Sequence, residues 1–405
     1  MKRYLLLLIS ISFMIFSCQE DKVEPKIPFP AHTAYTVEYM LPSYEITVLD
    51  NFVKDYYLKW KERYVKKCDD GYYVDFSDEN PNYATVSEAM GYGMMIEVYM
   101  AGYDKDAQEI FDGMFDYYKA HPSSINPNLM ACRQRSDCTT AEGDDDAASD
   151  GDIDVAYALV LADRQWGSDG KINYIEEAKR IINAIMESEI NNDSFFVKLG
   201  DWPDLSEPQY FYATRSSDFI TDHFKTFANV TGDQRWNKVV DECYSLIDYM
   251  QNNYSPVTGL LPDFIVNLND TPQPAQPNFL EGANDGNYDY NACRDPWRLT
   301  VDYLLTGDQR AKEALDNINA WITETTGGNP DLVKAGYTLD GQVTNDYQDV
   351  AFYGAFAVSA MVSGNRDWLD KLFDKLVKAD FDNDSYYQNT LKMLYMLTLS
   401  GNIWN

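Results

Sequence analysis

The sequence predicts an all-α fold in which helical hairpins close into a toroid. Apolar residues recur at helical spacing in four segments, 174–185, 236–250, 311–322 and 368–376. The alternation of polar and apolar residues that indicates strands is scarce. Long insertions at 190–215 and 252–295 interrupt the repeat, and this unequal spacing favours a closed ring with elaborate loops on one face over an open solenoid.

A recurring turn motif separates the predicted helices. It reads Thr-Gly-Asp-Gln-Arg from Thr231 and again from Thr306, and Ser-Gly-Asn-Arg-Asp from Ser363. The glycine can end one helix in the left-handed conformation, and the Asp or Asn that follows can help start the next helix. The motif therefore predicts short connections within helical hairpins.

Length, composition and charge exclude several classes of protein. The 405 residues include 45% hydrophobic side chains, which suffice for a large core and rule out disorder of the whole chain. With 33 Lys and Arg against 65 Asp and Glu, the net charge of −32 repels polyphosphate, so we expect no nucleic-acid partner. The 14% aromatic content is high for a core alone and is typical of proteins that also grip sugars.

The N-terminus has the pattern of an export signal. Two basic residues precede an apolar run over 4–16, which is too short to cross a bilayer but suits a signal peptide. The pair Ser17-Cys18 resembles a bacterial lipoprotein processing site. We therefore expect a signal peptide at 1–18, a lipid anchor on Cys18, and a location at the outer membrane, on the cell surface or its periplasmic face. An ordinary cleaved signal is the alternative.

The prolines that follow predict an extended spacer at 19–31, ahead of one folded domain at 32–405. We expect a monomer that meets the membrane only through its lipid anchor. Five cysteines remain after Cys18, and in an exported chain Cys132 and Cys138 could close a small disulfide loop. Because five is an odd number, at least one thiol stays free.

The sequence lacks the motifs of the common nucleophilic, phosphate-binding and zinc mechanisms. It has three histidines and no GxSxG, P-loop or HExxH motif. Carboxylates remain as the candidate catalytic groups. Inverting hydrolysis of a glycosidic bond needs one protonated carboxyl and one carboxylate on the opposite side of the sugar. We expect no metal and no cofactor.

Two acidic segments are candidates for this chemistry. Glu88 stands among apolar and small residues in Ser-Glu-Ala-Met-Gly-Tyr-Gly-Met at 87–94, where burial would raise its pKa to that of a useful acid. It could also be an ordinary first-turn helix acid. Asp150 stands in Ala-Ser-Asp-Gly-Asp at 148–152, which could form a helix cap or a calcium loop, although the EF-hand spacing is absent.

Together and in this order, the two segments resemble glycoside hydrolase family 8. Thr-Arg-Ser-Ser-Asp at 214–218 and Tyr-Asn-Ala-Cys-Arg-Asp-Pro at 290–296 extend the resemblance, which covers most of the chain from about residue 60 to 400. It implies an (α/α)6 barrel and endo-acting, inverting hydrolysis of a β-1,4-linked polysaccharide. Glu88 matches the family's proton donor, and Asp150 matches the carboxylate that holds the sugar ring.

The catalytic base departs from the usual family pattern. Many members place it as the Asp of Tyr-Asp-Ala-x-Arg, whereas this chain has Asn291, and an amide cannot accept the proton of a water molecule. A branch of the family with this Asn uses a Glu ten residues earlier on an inserted loop, which points to Glu281. Asp285 and Asp289 are nearby alternatives. If none serves, the protein is an inactive surface glycan-binding lipoprotein.

The resemblance also implies the substrate and the residues that bind it. The predicted binding positions are Tyr92, Arg215, Asp218, Tyr290, Asn291 and Arg294, and Tyr290 and Asn291 would orient the attacking water. Trp202 could stack on a sugar or simply anchor its loop. Because this branch includes chitosanases and mixed-linkage glucanases, we expect chitosan or a β-glucan of the mixed-linkage or cellulose type. Xylan hydrolysis and polysaccharide lysis are the alternatives.

Overall fold

The computed structural model describes residues 23–69, 71–381 and 385–405. The predicted signal peptide at 1–18 and the predicted lipid anchor on Cys18 lie outside these residues. In the part of the chain that is described, no helix combines the length and the apolar character needed to span a bilayer.

Two concentric rings of helices form the body of the described structure. The inner helices are α2 (Ser87–Met100), α4 (Ser149–Trp166), α7 (Thr221–Thr231), α9 (Asp295–Thr306), α11 (Val350–Ala360) and α13 (Tyr386–Leu399). The outer helices are α1 (Ile46–Tyr64), α3 (Ala107–Ala120), α5 (Tyr174–Ser188), α8 (Arg235–Asn253), α10 (Gln309–Thr325) and α12 (Arg366–Lys378). Each inner helix contacts the next, α13 returns to α2, and each inner helix packs on an outer one. The fold is therefore an (α/α)6 barrel, which confirms the predicted class.

Short secondary-structure elements support the connecting loops. They are β1 (Val65–Cys68), β2 (Gly71–Val74), β3 (Thr85–Val86), β4 (Arg133–Gln134), β5 (Thr214–Arg215), β6 (Phe264–Val266), β7 (Gln273–Pro274) and the one-turn helix α6 (Pro208–Phe211). The strands pair antiparallel as β1–β2, β3–β4 and β5–β6–β7. Two of these small sheets position predicted site residues. Strand β3 ends two residues before Glu88, and β5 contains Arg215.

The two rings differ in amphipathic character. The four helices predicted from apolar periodicity are the outer helices α5, α8, α10 and α12, and their apolar stripes are buried against the inner ring. The inner helices α2 and α11 are buried on almost every side, because each lies between two inner neighbours and one outer helix. Their sequences consequently read as apolar runs without a polar face.

The predicted turn motifs join inner to outer helices. Gly232, Gly307 and Gly364 adopt the left-handed conformation at φ 73°, 76° and 73°. The side chains of Asp308 and Asn365 then accept backbone N–H groups in the first turn of α10 and α12. These short turns lie at the C-terminal ends of the inner helices, a side that we call the floor. The insertions at 190–215 and 252–295 lie at the N-terminal ends, which we call the loop face.

The described part of the predicted spacer is bound to the barrel. Residues 26–31 run across the floor, where the backbone N–H of Phe29 donates to the carbonyl of Ala101 at 2.7 Å. The Phe29 side chain is buried. Contacts with the barrel thus begin ahead of the boundary predicted at residue 32, because backbone carbonyls at the C-terminal ends of α2 and α4 accept from this segment.

The disulfide pairing differs from the suggested loop. Cys68 at the end of β1 is bonded to Cys138, with a Cα–Cα separation of 6.3 Å. Cys132 is a free cysteine, so the pairing considered for Cys132 with Cys138 is wrong. The bond fastens the β1–β2 hairpin to the loop after β4, whose strand pairs with β3 immediately before Glu88.

The close approach of α2 and α4 yields a stability prediction. A Cβ atom at Gly151 would lie 2.4 Å from the backbone carbon of Ser87. We expect Gly151→Ala to lower the free energy of unfolding by about 1–3 kcal/mol, because the added methyl group overpacks the contact between α2 and α4. Denaturant unfolding measures this loss. Gly170→Ala is the control, since no atom lies within 4 Å of that Cβ position. Equal stability of the two variants would contradict the prediction.

Candidate active site

The predicted site residues converge on the loop face. Glu88 lies in the first turn of α2 and Asp150 in the first turn of α4. Arg294 ends the short 3-10 turn that leads into α9. The barrel thereby brings together acids and a cation from three distant parts of the sequence.

The Arg294 guanidinium is the centre of the site. Its Nη1 donates to Glu88 Oε2 at 2.6 Å, to Tyr92 OH at 3.0 Å and to Asp150 Oδ2 at 3.2 Å. Its Nη2 donates to Ser217 Oγ at 2.9 Å. Sequence reasoning missed Ser217, although it lies within the matched segment at 214–218.

Glu281 reaches this network through Asn291. Arg294 Nη2 donates to Asn291 Oδ1 at 3.0 Å, and Asn291 Nδ2 donates to Glu281 Oε2 at 2.8 Å. The second carboxylate oxygen of Glu281 accepts from Arg215 Nη2 at 3.2 Å. The Glu281 side chain is 50% exposed, so it remains open to solvent on the loop face.

Glu88 occupies a more enclosed position than Glu281. Burial raises the pKa of Glu88 to about 7, and the nearby Asp150 carboxylate adds to this rise, while Arg294 opposes it. The Tyr386 hydroxyl, which sequence reasoning missed, lies 3.4 Å from Glu88 Oε1 and donates to it. The two glutamates thus differ in environment, as an acid and a base must.

The loop that carries Glu281 is held by Asp285. Its carboxylate accepts the backbone N–H groups of Leu280, Glu281 and Gly282 at 2.7, 3.1 and 2.8 Å. Because the Asp285 carboxylate is buried and occupied in this way, it is a poor candidate for the base. The left-handed residue of this loop is Asn278, at φ 60°, so the turn does not depend on Gly282.

The other alternative base also has a structural partner. Asp289 Oδ1 accepts from Asn345 Nδ2 at 2.9 Å, and burial raises the pKa of Asp289 to about 6. Beneath it, Asp263 accepts the backbone N–H groups of Asp289, Asn291 and Ala292 at 2.8–3.1 Å. Burial raises the pKa of Asp263 to about 8. Sequence reasoning missed Asp263, because no motif surrounds it.

Arg215 and Asp218 form a pair at the edge of the site. Arg215 Nη1 lies 3.4 Å from Asp218 Oδ2, and its guanidinium lies over the Phe264 ring at 5.3 Å. Burial raises the pKa of Asp218 to about 7, against the effect of Arg215. Arg215 was predicted to bind substrate, yet its contacts here are with Asp218 and Glu281.

Two predicted aromatic residues flank the network. The Tyr290 hydroxyl donates to Asp349 Oδ2 at 2.8 Å and lies 3.1 Å from the hydroxyl of Tyr347, whose side chain is exposed. Trp202 is partly exposed and meets Tyr210 edge to face at 5.4 Å. Trp202 packs against a small apolar cluster beside the Glu281 loop, so it has a packing role although its side chain is partly exposed.

The acidic helix start at 148–152 makes protein contacts. Asp150 Oδ1 accepts the backbone N–H of Gly151 at 2.9 Å, and Asp152 Oδ1 accepts that of Met130 at 3.1 Å and the Tyr118 hydroxyl. Among the residues that the structure describes, no group of three or more His, Cys, Asp and Glu side chains is arranged to hold a metal ion.

Known proteins resemble this chain along almost its full length. The model of the glycosyl hydrolases family 8 matches residues 27–401. A β-glucanase of Niallia circulans is 46% identical over 397 residues, which cover 97% of this chain and 95% of that protein. An endoglucanase of Bacillus sp. strain KSM-330 is 38% identical over 407 aligned residues, 98% of this chain and 86% of that protein.

Solved structures of similar proteins superimpose on this chain over most of its length. The apo structure of a β-1,3-1,4-glucanase from Paenibacillus sp. X4 superimposes with a TM-score of 0.90 and 48% identity, covering 94% of this chain and all of that chain. Rex8A from Paenibacillus barcinonensis, solved with xylose, has a TM-score of 0.74 at 20% identity over 89% of this chain and 94% of its own. At that identity, Rex8A supports the fold alone.

The buried acids of the site predict how stability depends on pH. Burial raises the pKa of Glu88 and Asp218 to about 7 and of Asp152 and Asp263 to about 8. In the unfolded chain these groups ionise near pH 4. The folded state therefore binds their protons more tightly, and the stability that this provides is lost as pH rises from about 4 to the folded-state pKa values of about 7 to 8.

We accordingly expect the melting temperature to fall between pH 5 and pH 9, measured by differential scanning calorimetry. Asp152→Asn mimics the protonated acid and should flatten this decline. A melting temperature that stays constant or rises over the same range would contradict the assignment.

Proposed function

The chain belongs to glycosyl hydrolases family 8, and we propose that it is an inverting, endo-acting enzyme. Its proposed reaction is the cleavage of β-1,4 linkages in mixed-linkage β-1,3-1,4-glucan. One observation carries the proposal. Glu88 and Glu281, an enclosed and an open carboxyl group, lie on one face of the barrel and are linked through Arg294 and Asn291.

Glu88 is the proton donor in this scheme. With a pKa of about 7, it keeps its proton in a substantial fraction of molecules near neutral pH. Arg294 Nη1 occupies Oε2, so Oε1 carries the proton towards the departing glycosidic oxygen. The Tyr386 hydroxyl beside Oε1 fixes the orientation of the carboxyl group.

Glu281 is the base that deprotonates the attacking water. Its two carboxylate oxygens accept from Arg215 and Asn291, which hold the group in place while it remains open to solvent. Inverting hydrolysis needs room for a water molecule, which corresponds to about 6.5–9.5 Å between the two carboxyl groups. The hydrogen bonds of the network link Glu281 to Glu88 through Asn291 and Arg294 rather than directly, an arrangement that is compatible with a water molecule between the base and the sugar.

Other predicted residues have supporting roles in the proposal. Asp150 and Tyr92 share Arg294 Nη1 with Glu88 at the bottom of the proposed sugar-binding position, where Asp150 supports the distorted ring. The partly exposed rings of Trp202 and Tyr290 are proposed as platforms for neighbouring sugars. Arg215 holds the base.

The choice of substrate follows the relatives. The proteins that are 46% and 48% identical are named a β-glucanase and a β-1,3-1,4-glucanase, whereas the 38% relative is named an endoglucanase. Mixed-linkage glucan is therefore favoured over cellulose. The net charge of −32 would speed the encounter with cationic chitosan at low salt, which keeps chitosan as a second candidate. A xylose-releasing relative is only 24% identical, so xylan ranks last.

We propose an extracytoplasmic location as well. The sequence at 1–18 supports export, and Ser17-Cys18 supports lipid attachment at Cys18 of a monomeric enzyme.

A substrate panel tests the proposed activity. The chain without residues 1–18 is incubated with mixed-linkage glucan, carboxymethyl cellulose, chitosan and xylan, and new reducing ends are measured. We expect the fastest release from mixed-linkage glucan, with α-anomers as the first products by NMR. Glu88→Gln and Glu281→Gln should each lower kcat on the order of 10²–10⁴-fold, since each removes a proton-transfer group.

Glu324→Gln, an exposed position on the outer helix α10, is the matched control and should keep full activity. Binding of glucan without new reducing ends would identify a glycan-binding protein instead. A β-anomer as first product would overturn the water-attack scheme.

The pH profile tests the assignment of the acid. Glu88 must be protonated to act, so kcat/KM should fall as pH rises above about 7. Asp150→Asn removes a neighbouring negative charge that raises the pKa of Glu88. The alkaline decline of the residual kcat/KM should therefore begin at a lower pH than in the unmodified enzyme. An alkaline limb that stays in place or moves to higher pH in this variant would rule out Glu88 as the titrating acid.

A further inference from the structure

The N-terminal segment is fixed to the floor of the barrel. We call residues 26–32 the floor strap. The backbone N–H of Lys26 donates to the carbonyl of Gln165 at 2.9 Å. The backbone N–H of Ile27 donates to Gln165 Oε1 at 2.7 Å, and the backbone carbonyl of Ile27 accepts from Gln165 Nε2 at 2.8 Å. Gln165 is fully buried at the end of α4 and also donates to Val98 in α2, so the strap joins these two helix ends.

The middle of the strap fits closely against the turn after α2. The Phe29 ring is buried and meets Tyr103 at 6.2 Å. Gly102 has φ 93°, and a Cβ at this position would lie 2.5 Å from Pro28 Cβ. No larger side chain fits between strap and turn.

The strap ends beside α13 and α1, an inner helix and the outer helix that packs on it. The backbone N–H groups of Ala31 and His32 donate to Asn402 Oδ1 at 2.8 and 3.3 Å, beyond the end of α13. His32 Nε2 lies 2.9 Å from Asp50 Oδ2 in α1. The segment therefore spans the floor from α4 to α1 and leaves it at Lys26.

The candidate active site lies at the opposite ends of the same helices. Glu88 begins α2 and Asp150 begins α4, whereas the strap binds where these helices end. With 14 and 18 residues, the two helices separate floor from loop face by about 21 and 27 Å.

The connection between the strap and Cys18 is short. Cys18 and Lys26 are eight residues apart, so the fully extended connection between them spans at most about 29 Å. Val23, Glu24 and Pro25 line a cavity that the turns after α2 and α4 share with the outer helix α3 and the β1–β2 hairpin. To turn the loop face towards a membrane, this connection would have to pass the height of the barrel, about 27 Å along α4, and then the loops at 190–215 and 252–295 beyond the helix starts, which together exceed its length.

We propose that in the lipid-anchored protein the floor faces the bilayer and the Glu88–Glu281 site opens away from it. The proposal rests on the lipid anchor proposed above and adds the orientation of the enzyme to it. The net charge of −32 repels anionic lipid, so the body stands off the surface at the reach of its connection. In this orientation a long polysaccharide reaches the cleft without crossing the lipid headgroups.

Fluorescence quenching by spin-labelled lipid tests the orientation. The lipidated full chain is reconstituted into phosphatidylethanolamine–phosphatidylglycerol vesicles, with Cys132→Ser to remove the accessible thiol. A fluorophore is attached either at Gly170→Cys in the floor turn after α4 or at Val257→Cys in the connection after α8, at the loop face. Both positions are exposed and outside the site. We expect the larger loss of fluorescence at position 170.

Equal quenching, or stronger quenching at position 257, would overturn the orientation. Flotation separates this outcome from failure of the anchor, because Cys18→Ser should not float with the vesicles. If the chain with Cys18 also fails to float, the anchor itself is refuted. Insertion of about 20 Gly and Ser residues before Val23 should abolish the difference between the two positions. A difference that survives the insertion would show that the body adheres by its own surface, contrary to the proposal.

Discussion

The buried guanidinium of Arg294 is the constraint on which the site depends. A buried cation is costly unless its donors are satisfied by charged or polar acceptors, and removal of one partner leaves that cost uncompensated. The partners of Arg294 come from α2, from α4, from the segment before α7 and from its own turn before α9. One side chain therefore fixes the mutual positions of four of the inner helix starts.

The same arrangement explains why acids gather on one face. All inner helices point their N-terminal ends at the loop face, where their dipoles contribute partial positive charge. Glu88 and Asp150 stand in first turns and benefit from this field together with Arg294. The floor has tight glycine turns and the strap, so the short connections and the candidate active site lie at opposite ends of the helices. The loop face can accordingly carry long insertions without disturbing the ring.

Sequence reasoning succeeded where local chemistry decides the outcome. Outer helices show their amphipathic stripe, left-handed turns need glycine, and the segments around Glu88 and Asp150 carry recognisable motifs. It failed where the outcome depends on a distant partner. Asp263 and Tyr386 acquire their importance only from contacts made across the fold. The proline-rich strap reads as a spacer because composition does not reveal the helix ends that bind it, and the partner of Cys138 was hidden for the same reason.

The amide at position 291 and the acid at position 281 depend on each other. Asn291 presents its oxygen to Arg294 and its nitrogen to Glu281, and an amide is suited to this position because it both accepts from a cation and donates to an anion. An aspartate there could satisfy Arg294 but would repel Glu281. Conversely, with an amide at 291 the site lacks a base unless another acid reaches the water. Asp285 holds the inserted loop through the backbone N–H groups of Leu280, Glu281 and Gly282, so in the proposed mechanism a base on this loop replaces one at position 291 while Arg294 keeps its acceptor.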